Sequence, residues 1–537
     1  MNLYARQIDA IYQSTVREVV SIGTTTTSNF NPDKPFVFSD YPNIQDRIKK
    51  LLNGLKNNIQ TVVLNGVDAE WTLANNKNNE LCNFVFGEAA KKLSREQERK
   101  YYKNNHTARE AFKARQVNGL NLSDRVWNYS KQFKAEIEMG LDLGLRDGLS
   151  AADMTRDLKQ YLKYPDKLFR RVRDEHGQLH LSQAAKAFNP GQGVYRSSYK
   201  NALRLTRTET NIAYRTSDYT RWQQLDFVVG IEIHTSNNHP IADICDELAG
   251  RYPKDFKFTG WHPQCRCYAT SILKTPEEME ADNERIMNGD RLDGESENAV
   301  RDVPDNFKSW LADNEDRIST AKSLPYFLND NLNYIGDDVL LSRDTVRLMV
   351  SAQQVGDTVQ GLAESIASMH GAVCTPINYK SKASIMRKVK LERQYKMTAN
   401  FSPFDLKDAV RTTIIAEPAQ IDAIFDELID LSLCCMWKDQ LPQKHMGYSG
   451  KIVNFKMQNG VVGEIQVNTP QTIYAKEKPE DAKQILGGGV WNAIHKKTGM
   501  EGGLGHKYYE QWRVLNPTSK EAKEIVRKSE EYYRHFR

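Results

Sequence analysis

The stretch that most restricts what this chain can become is Lys451 to Thr469, KIVNFKMQNGVVGEIQVNT. It reads as two strands joined at Asn459-Gly460, a pair that tolerates positive φ at both positions and so predicts a two-residue hairpin. Its second half alternates strictly. Glu464, Gln466 and Asn468 fall on one face of a strand, Ile465 and Val467 on the other. A carboxylate flanked by two amides suits either a half-solvated strand or a nucleotide site in which Glu464 is metal ligand and base. The residues around the hairpin have to decide between them.

At 537 residues the chain is too long for one core and is expected to form two to four domains. Its 27% charged and 39% hydrophobic residues are those of a soluble globular protein. No apolar run approaches the roughly 20 residues that cross a bilayer, so no membrane role is expected. The opening MNLYARQIDAIYQ lacks the apolar core of a secretory signal. A net charge of +5 permits an anionic partner without requiring one. Seven cysteines form no disulfide framework, and three of them cluster at Cys245, Cys265 and Cys267.

Periodicity predicts a short helix over 4–20, then a linker (SIGTTTTSNFNPDKPF, 21–36). Mainly helical sequence follows to about 225, with Ser150 as a helix N-cap and Asp153 in its first turn. The basic stretch 91–115 reads as a solvated helix face, because Glu96, Glu98 and Glu110 interrupt its charge. Residues 175–198 read as loop, 199–225 as a strong helix and 227–234 as a strand. From 276 to 350 the chain is polar and acid-rich, a connector with some helix. The expected fold is therefore multidomain. A helical region (1–120) and a small Cys/His α+β module (121–275) precede this linker, and an α+β domain with a mixed sheet (351–537) follows it.

Within HPIADICDELAGRYPKDFKFTGWHPQCRC lie His239, Asp243 and Cys245, then His262, Cys265 and Cys267. Two close-spaced pairs of imidazole and thiolate groups across a short loop are what tetrahedral Zn²⁺ requires. Metal is the reading the clustering favours over a structural group without metal, and which four residues ligate is not readable from spacing. The helix RLTRTETNIAYRTSDYTRW (204–222), a strand, a Cys and then HPQCRC resemble, in that order, the phage Mu F-like minor head (head morphogenesis) family. This covers roughly 120–275 and implies a structural place in a virion, at the portal or inside the head, with portal or capsid partners. Where that family often has Cys-x-x-Cys, this chain has only Cys245. Glu209 with Arg204 and Arg207 is expected to make helix-packing salt bridges.

Four further pieces recur in order after residue 370. Lys380-Ser381-Lys382-Ala-Ser384-Ile-Met-Arg387-Lys388 sets four cations around a helix start that Ser381 or Ser384 can cap, a cradle for a triphosphate. Asp408 and Arg411 stand at the start of a buried strand. His445-Met-Gly447-Tyr448-Ser-Gly450 presents one aromatic ring suited to stacking on a base. Glu464-Ile-Gln466 is the strand face above. Two carboxylates around Mg²⁺, cations for developing charge and a carboxylate base are the parts of phosphoryl-type transfer, here without a Walker loop.

Together these pieces resemble the RelA/SpoT-type alarmone synthetase family over about 365–515. The resemblance implies that Lys380, Ser381, Lys382, Ser384, Arg387 and Lys388 bind ATP phosphates and that Asp408 holds Mg²⁺. It implies that Tyr448 stacks the acceptor base and that Glu464, with Gln466, is catalytic. The ending Gly505-His506-Lys-Tyr-Tyr-Glu-Gln-Trp-Arg513 looks like that of toxin-type relatives and adds His506 and Arg513 to the substrate-binding set. The implied reaction moves pyrophosphate from ATP to the 3′-hydroxyl of a nucleotide, guanine first, with adenine nucleotides or tRNA as the toxin-type alternatives. Three departures bear on the substrate: Asn378 and Asn468 stand where the family has Arg, and Arg411 where it has Gly. The joint expectation is a phage or prophage head protein carrying a nucleotide-modifying effector, in the virion and then the host bacterial cytoplasm. The rival is a purely structural virion protein.

Overall fold

In the computed structural model the chain divides into two compact units, one of residues 1–312 with 324–334, the other of 313–323 with 335–537. The described residues are 3–25, 30–31, 33–165, 172–173, 179–180, 191, 193–237, 242–290, 292, 294–395, 398–439, 445–448 and 450–536. His239 lies outside them, as does most of the expected loop at 175–198.

The core of the first unit is framed by the helices α1 (Leu3–Thr24), α2 (Pro42–Phe86), α3 (Leu122–Arg146), α4 (Ala151–Lys163) and α5 (Ser198–Trp222). Each carries an apolar stripe, and Tyr12, Trp71, Phe133, Leu158 and Leu205, one from each helix, meet in one core. The helix starts follow local chemistry. Ser150 Oγ accepts from Asp153 N at 3.1 Å, the expected cap, and Ser197 Oγ accepts from Lys200 N at 3.2 Å. After α5 comes a three-stranded antiparallel sheet, β1 (Val228–His234) between β2 (Gly250–Tyr252) and β3 (Tyr268–Leu273).

The second unit begins its main body with the long helix α6 (Asp337–Met369), which runs across residue 350. The strands β4 (Val373–Cys374) and β5 (Asn378–Tyr379), helix α7 (Lys382–Tyr395) and strand β6 (Val410–Ile415) follow. Next come α8 (Ile421–Asp430), β7 (Cys434–Asp439), β8 (Lys451–Lys456) and β9 (Val462–Asn468). Four helices close the unit: α9 (Pro470–Lys476), α10 (Pro479–Thr498), α11 (Leu504–Trp512) and α12 (Lys520–Arg534). The sheet runs β4-β6-β9-β8-β7, with β5 also on β6. It is mixed as expected, since β9 pairs with β6 in parallel and the remaining pairs are antiparallel. Val410, Ile414, Val453, Phe455, Ile465 and Val467 point from one face into a core shared with α6 and α8. No helix among the described residues is long and apolar enough to cross a membrane.

The β8–β9 hairpin differs from expectation at its turn. The ladder closes at Lys456–Val462, Gly460 N donates to Met457 O at 2.9 Å, and only Gly460 of the Asn-Gly pair has positive φ, at 84°. This is a longer loop with a single left-handed residue. Asn459 adopts an ordinary conformation and its Oδ1 accepts from Val461 N at 3.2 Å.

Candidate functional site

The polar face of β9 is buried, which removes the half-solvated reading. Glu464, Gln466 and Asn468 are 8%, 6% and 1% exposed. Register sets Arg411 of β6 beside Glu464 and Asn454 of β8 on its other side. A buried carboxylate needs partners, and here they form a chain. Lys476, at the end of α9, donates from Nζ to Gln466 Oε1 at 2.8 Å, and Gln466 Nε2 donates to Glu464 Oε1 at 2.7 Å. The Lys476 ammonium also stands 5.6 Å from the centre of the Tyr448 ring.

Tyr448 is fixed at its far end, where its hydroxyl donates to Asn468 Oδ1 at 2.8 Å. Asn468 Nδ2 is buried without a hydrogen-bond partner. Gly450 permits this approach: a Cβ there would lie 2.3 Å from Asn468 Oδ1 and 2.5 Å from the Tyr448 hydroxyl. Burial alone would raise the Glu477 carboxyl. Lys476, Arg411 and His506 nevertheless hold it below its usual range, so Arg411 and His506 act on this side of the sheet. The sequence reading missed Lys476 and Glu477. The signal available was the Pro470 start of α9, which sets Lys476 at the end of a two-turn helix entered directly from β9.

Two residues before β6, Asp408 Oδ2 accepts from Lys380 Nζ at 2.5 Å and from Lys388 Nζ at 2.9 Å. Burial pushes the Asp408 carboxyl up, but Lys388 and Lys380 outweigh it and hold it low. Burial lowers the Lys380 ammonium despite Asp408. Both lysines were expected on phosphate; here both rest on the carboxylate. Asp408 Oδ1 is buried and accepts no hydrogen bond, so it is the oxygen a Mg²⁺ ion would use, with the rest of its shell from phosphates and water. Ser381 Oγ accepts from Ser384 N at 3.3 Å and so caps α7, while Ser384 Oγ meets Ser381 Oγ at 3.0 Å. Lys382 is half-buried and Arg387 exposed on that helix. Arg411, in register beside Glu464, stands close enough to Lys380 to depress it. His506 and Arg513 both turn to Glu510 of α11, His506 at 3.7 Å.

In the first unit the Cys/His residues converge. Cys245 Sγ lies 3.1 Å from His262 Nε2 and 3.8 Å from Cys265 Sγ. Asp243 Oδ2 is 3.4 Å from His262 Nε2, and Cys267 is buried beside Cys265. The Cys265 thiol is held below its usual value, chiefly by its hydrogen bond with Cys267 and further by Arg215. Burial raises Cys245, and the bond to Cys265 raises Cys267. Glu209 is a packing residue as expected but with other partners: Arg115 at 2.7 Å and Arg125 at 2.8 Å. Arg204 instead donates to Gly193 O, and Arg207 to Gln264 Oε1.

No family model matches the chain. Over part of its length the chain carries a domain similar to the RelA/SpoT-type alarmone synthetases. One relative is the (p)ppApp synthetase toxin Tas1 of Pseudomonas aeruginosa (strain UCBPP-PA14), 37% identical over 175 residues, or 33% of this chain. The match spans 38% of Tas1, well under half of that relative's length. The solved complex of the Type VI effector Tas1 with its immunity protein matches 36% of this chain and 96% of that one, at 34% identity and a TM-score of 0.32. Small alarmone synthetase 1 from Bacillus subtilis, bound to its product pppGpp, matches 35% of this chain and 90% of that one, at 15% identity and a TM-score of 0.23. These comparisons do not show the head-morphogenesis resemblance expected of residues 121–275.

Proposed function

We propose that the second unit is a nucleotide pyrophosphotransferase that uses ATP and an adenine-nucleotide acceptor and acts as a toxin-type effector. The observation that carries the reading is Glu464: a carboxylate buried on β9 and held by Gln466, which is held in turn by Lys476 beside the Tyr448 ring. The adenine acceptor follows the (p)ppApp synthetase likeness and stands ahead of the guanine nucleotide expected from sequence.

In this reading the acceptor 3′-oxygen forms a bond to the β-phosphorus of ATP. The bond from that phosphorus to the α–β bridging oxygen breaks, AMP leaves, and the hydroxyl proton passes to Glu464. Lys380 and Lys388 take the phosphates, and Arg411 offsets charge near Glu464. Mg²⁺, held by Asp408 with Glu464 near, would supply Lewis-acid polarisation of phosphate oxygens. Tyr448 orients the base.

The test is the full chain with labelled ATP, Mg²⁺ and AMP, ADP, ATP, GDP, GTP or tRNA in turn. Label on an adenine nucleotide supports the reading. Label on a guanine nucleotide or tRNA alone overturns the acceptor, and no transfer to any of them overturns the reaction.

The head-morphogenesis role of residues 121–275 is a companion proposal, carried by the RTET helix gripping the HPQCRC turn through Arg207 and Thr208. Particles purified from the producing strain should contain the chain with portal or capsid proteins. Its absence from such particles removes the proposal.

A further inference from the structure

We infer that the first unit holds one structural Zn²⁺ ion, ligated by Cys245, His262, Cys265 and Cys267. Three ligand atoms already meet: Cys245 Sγ, His262 Nε2 and Cys265 Sγ lie within 4.8 Å of one another. The two sulfurs are 3.8 Å apart. That is far beyond a disulfide, and it matches the edge of about 3.8 Å expected between two thiolates each about 2.3 Å from one tetrahedral zinc. Three cysteines at 0%, 2% and 1% exposure, brought together from a helix and a turn 17 or more residues apart, have no packing need for sulfur. Soft thiolate and imidazole donors select Zn²⁺ over Mg²⁺ or Ca²⁺.

The surroundings hold the donors in place. His262 Nδ1 is 2.9 Å from Pro263 O. A proton on Nδ1 donated to that carbonyl leaves the Nε2 lone pair facing Cys245, the tautomer a metal ligand needs. Cys265 N donates to His262 O at 3.0 Å in a turn whose Gln264 has φ of 63°, and this turn puts both side chains on one side. Arg215 of α5 grips the turn from behind. It donates to Thr259 O and Cys265 O at 2.8 Å each and to Cys267 O at 2.5 Å. Gln264 N donates to Thr208 Oγ1 at 3.2 Å. The backbone that carries three donors is thus anchored to a helix before any ion arrives. Asp243 Oδ1 is engaged with Cys245 N at 2.7 Å and its Oδ2 stands 3.4 Å from His262 Nε2; Cys267, buried beside Cys265 and Cys245, is assigned as the fourth ligand.

The test uses the full chain, produced with zinc and passed over a chelating resin. Elemental analysis should give about one Zn per chain. Cys245→Ser and Cys265→Ser should lose at least ten-fold in occupancy, and Cys435→Ser in the second unit should lose none. A natively folded wild-type chain that is metal-free and takes up no added Zn²⁺ overturns the site. Because the serine variants can fail to fold, Co²⁺ exchanged into the wild type gives an independent readout. An intense tetrahedral spectrum with thiolate-to-cobalt charge transfer supports the site, and a weak octahedral spectrum overturns it. Cys267→Ser should cut the charge-transfer intensity by about a third, one thiolate of three. An unchanged intensity there, with a changed spectrum in Asp243→Asn, overturns Cys267 as the fourth ligand.

Discussion

Lys476 and Glu464 never touch, yet the ammonium decides how the carboxylate is met. Nζ can only donate, so it holds Gln466 Oε1 at 2.8 Å and obliges the amide nitrogen to face Glu464 at 2.7 Å. Without the lysine, Gln466 can turn over and offer its oxygen to a carboxylate that accepts only. Lys476→Met should lower kcat on the order of ten-fold, the worth of a hydrogen bond to a charged group, and leave the KM for ATP unchanged. Lys476→Arg should restore most of the rate. In a Gln466→Leu background the same substitution should cost far less, a non-additivity that steady-state kinetics on the four proteins measures directly.

Glu464→Gln keeps the size and burial of the side chain and removes the proposed base. Pyrophosphate transfer should fall by about 10² to 10⁴-fold, the usual range for a positioned proton acceptor, with thermal stability little changed. A variant that still transfers label at the wild-type rate removes Glu464 from the reaction.

Gly450→Ala is small in volume but puts a carbon 2.3 Å from Asn468 Oδ1 and 2.5 Å from the Tyr448 hydroxyl. The hydroxyl–amide bond has to break, and Tyr448 moves. The KM for the acceptor should rise by about ten-fold while that for ATP changes less, since a ring freed from its tether orients a base poorly. Tyr448→Phe should show a milder form of the same effect.

Glu136 supplies a pH dependence of folding in the first unit. It is 1% exposed, accepts from Ser198 N at 2.8 Å and from Ser198 Oγ at 2.5 Å, and burial pushes it up to about 8. Its ordinary value in an unfolded chain is near 4.3. The folded state therefore holds a proton that the unfolded state releases. The contribution is full below about pH 4 and is lost as pH rises to about 8. Glu136→Gln keeps an acceptor for Ser198 and titrates nowhere. Its melting temperature relative to wild type should rise between pH 5 and pH 8 and level off above that. A difference that is flat with pH counts against a buried neutral Glu136.

Much of the second unit was legible because its signals are local. Alternation along β9 gave the face, Ser381 gave the start of α7, and the apolar run after Arg411 gave β6. The turn of the hairpin was misread because Asn-Gly fits several loop lengths, and the choice here depends on the bonds Met457, Asn459 and Gly460 make. Lys476 and Glu477 were invisible because an ordinary Lys-Glu pair at the end of a helix acquires meaning only when α9 folds back over β9. In the Cys/His segment, spacing brought out Cys245, His262 and Cys265. It could not show that Arg215, fifty residues before Cys265, would hold the turn. Glu209 was read correctly as a packing residue, but its partners Arg115 and Arg125 lie 84 to 94 residues away in sequence.

Lys380 and Lys388 share one oxygen of Asp408, so half of the cradle's positive charge is already met by its own internal counter-ion. It is a weaker trap for phosphate than two unpaired ammonium groups would be. A bare polyphosphate must prise two ammonium groups from a carboxylate and leave that carboxylate stranded. A polyphosphate that brings a cation of its own exchanges partners instead, phosphate for lysine and cation for carboxylate. On the proposed function, such a cradle favours metal-bound over bare polyphosphate before any base is read.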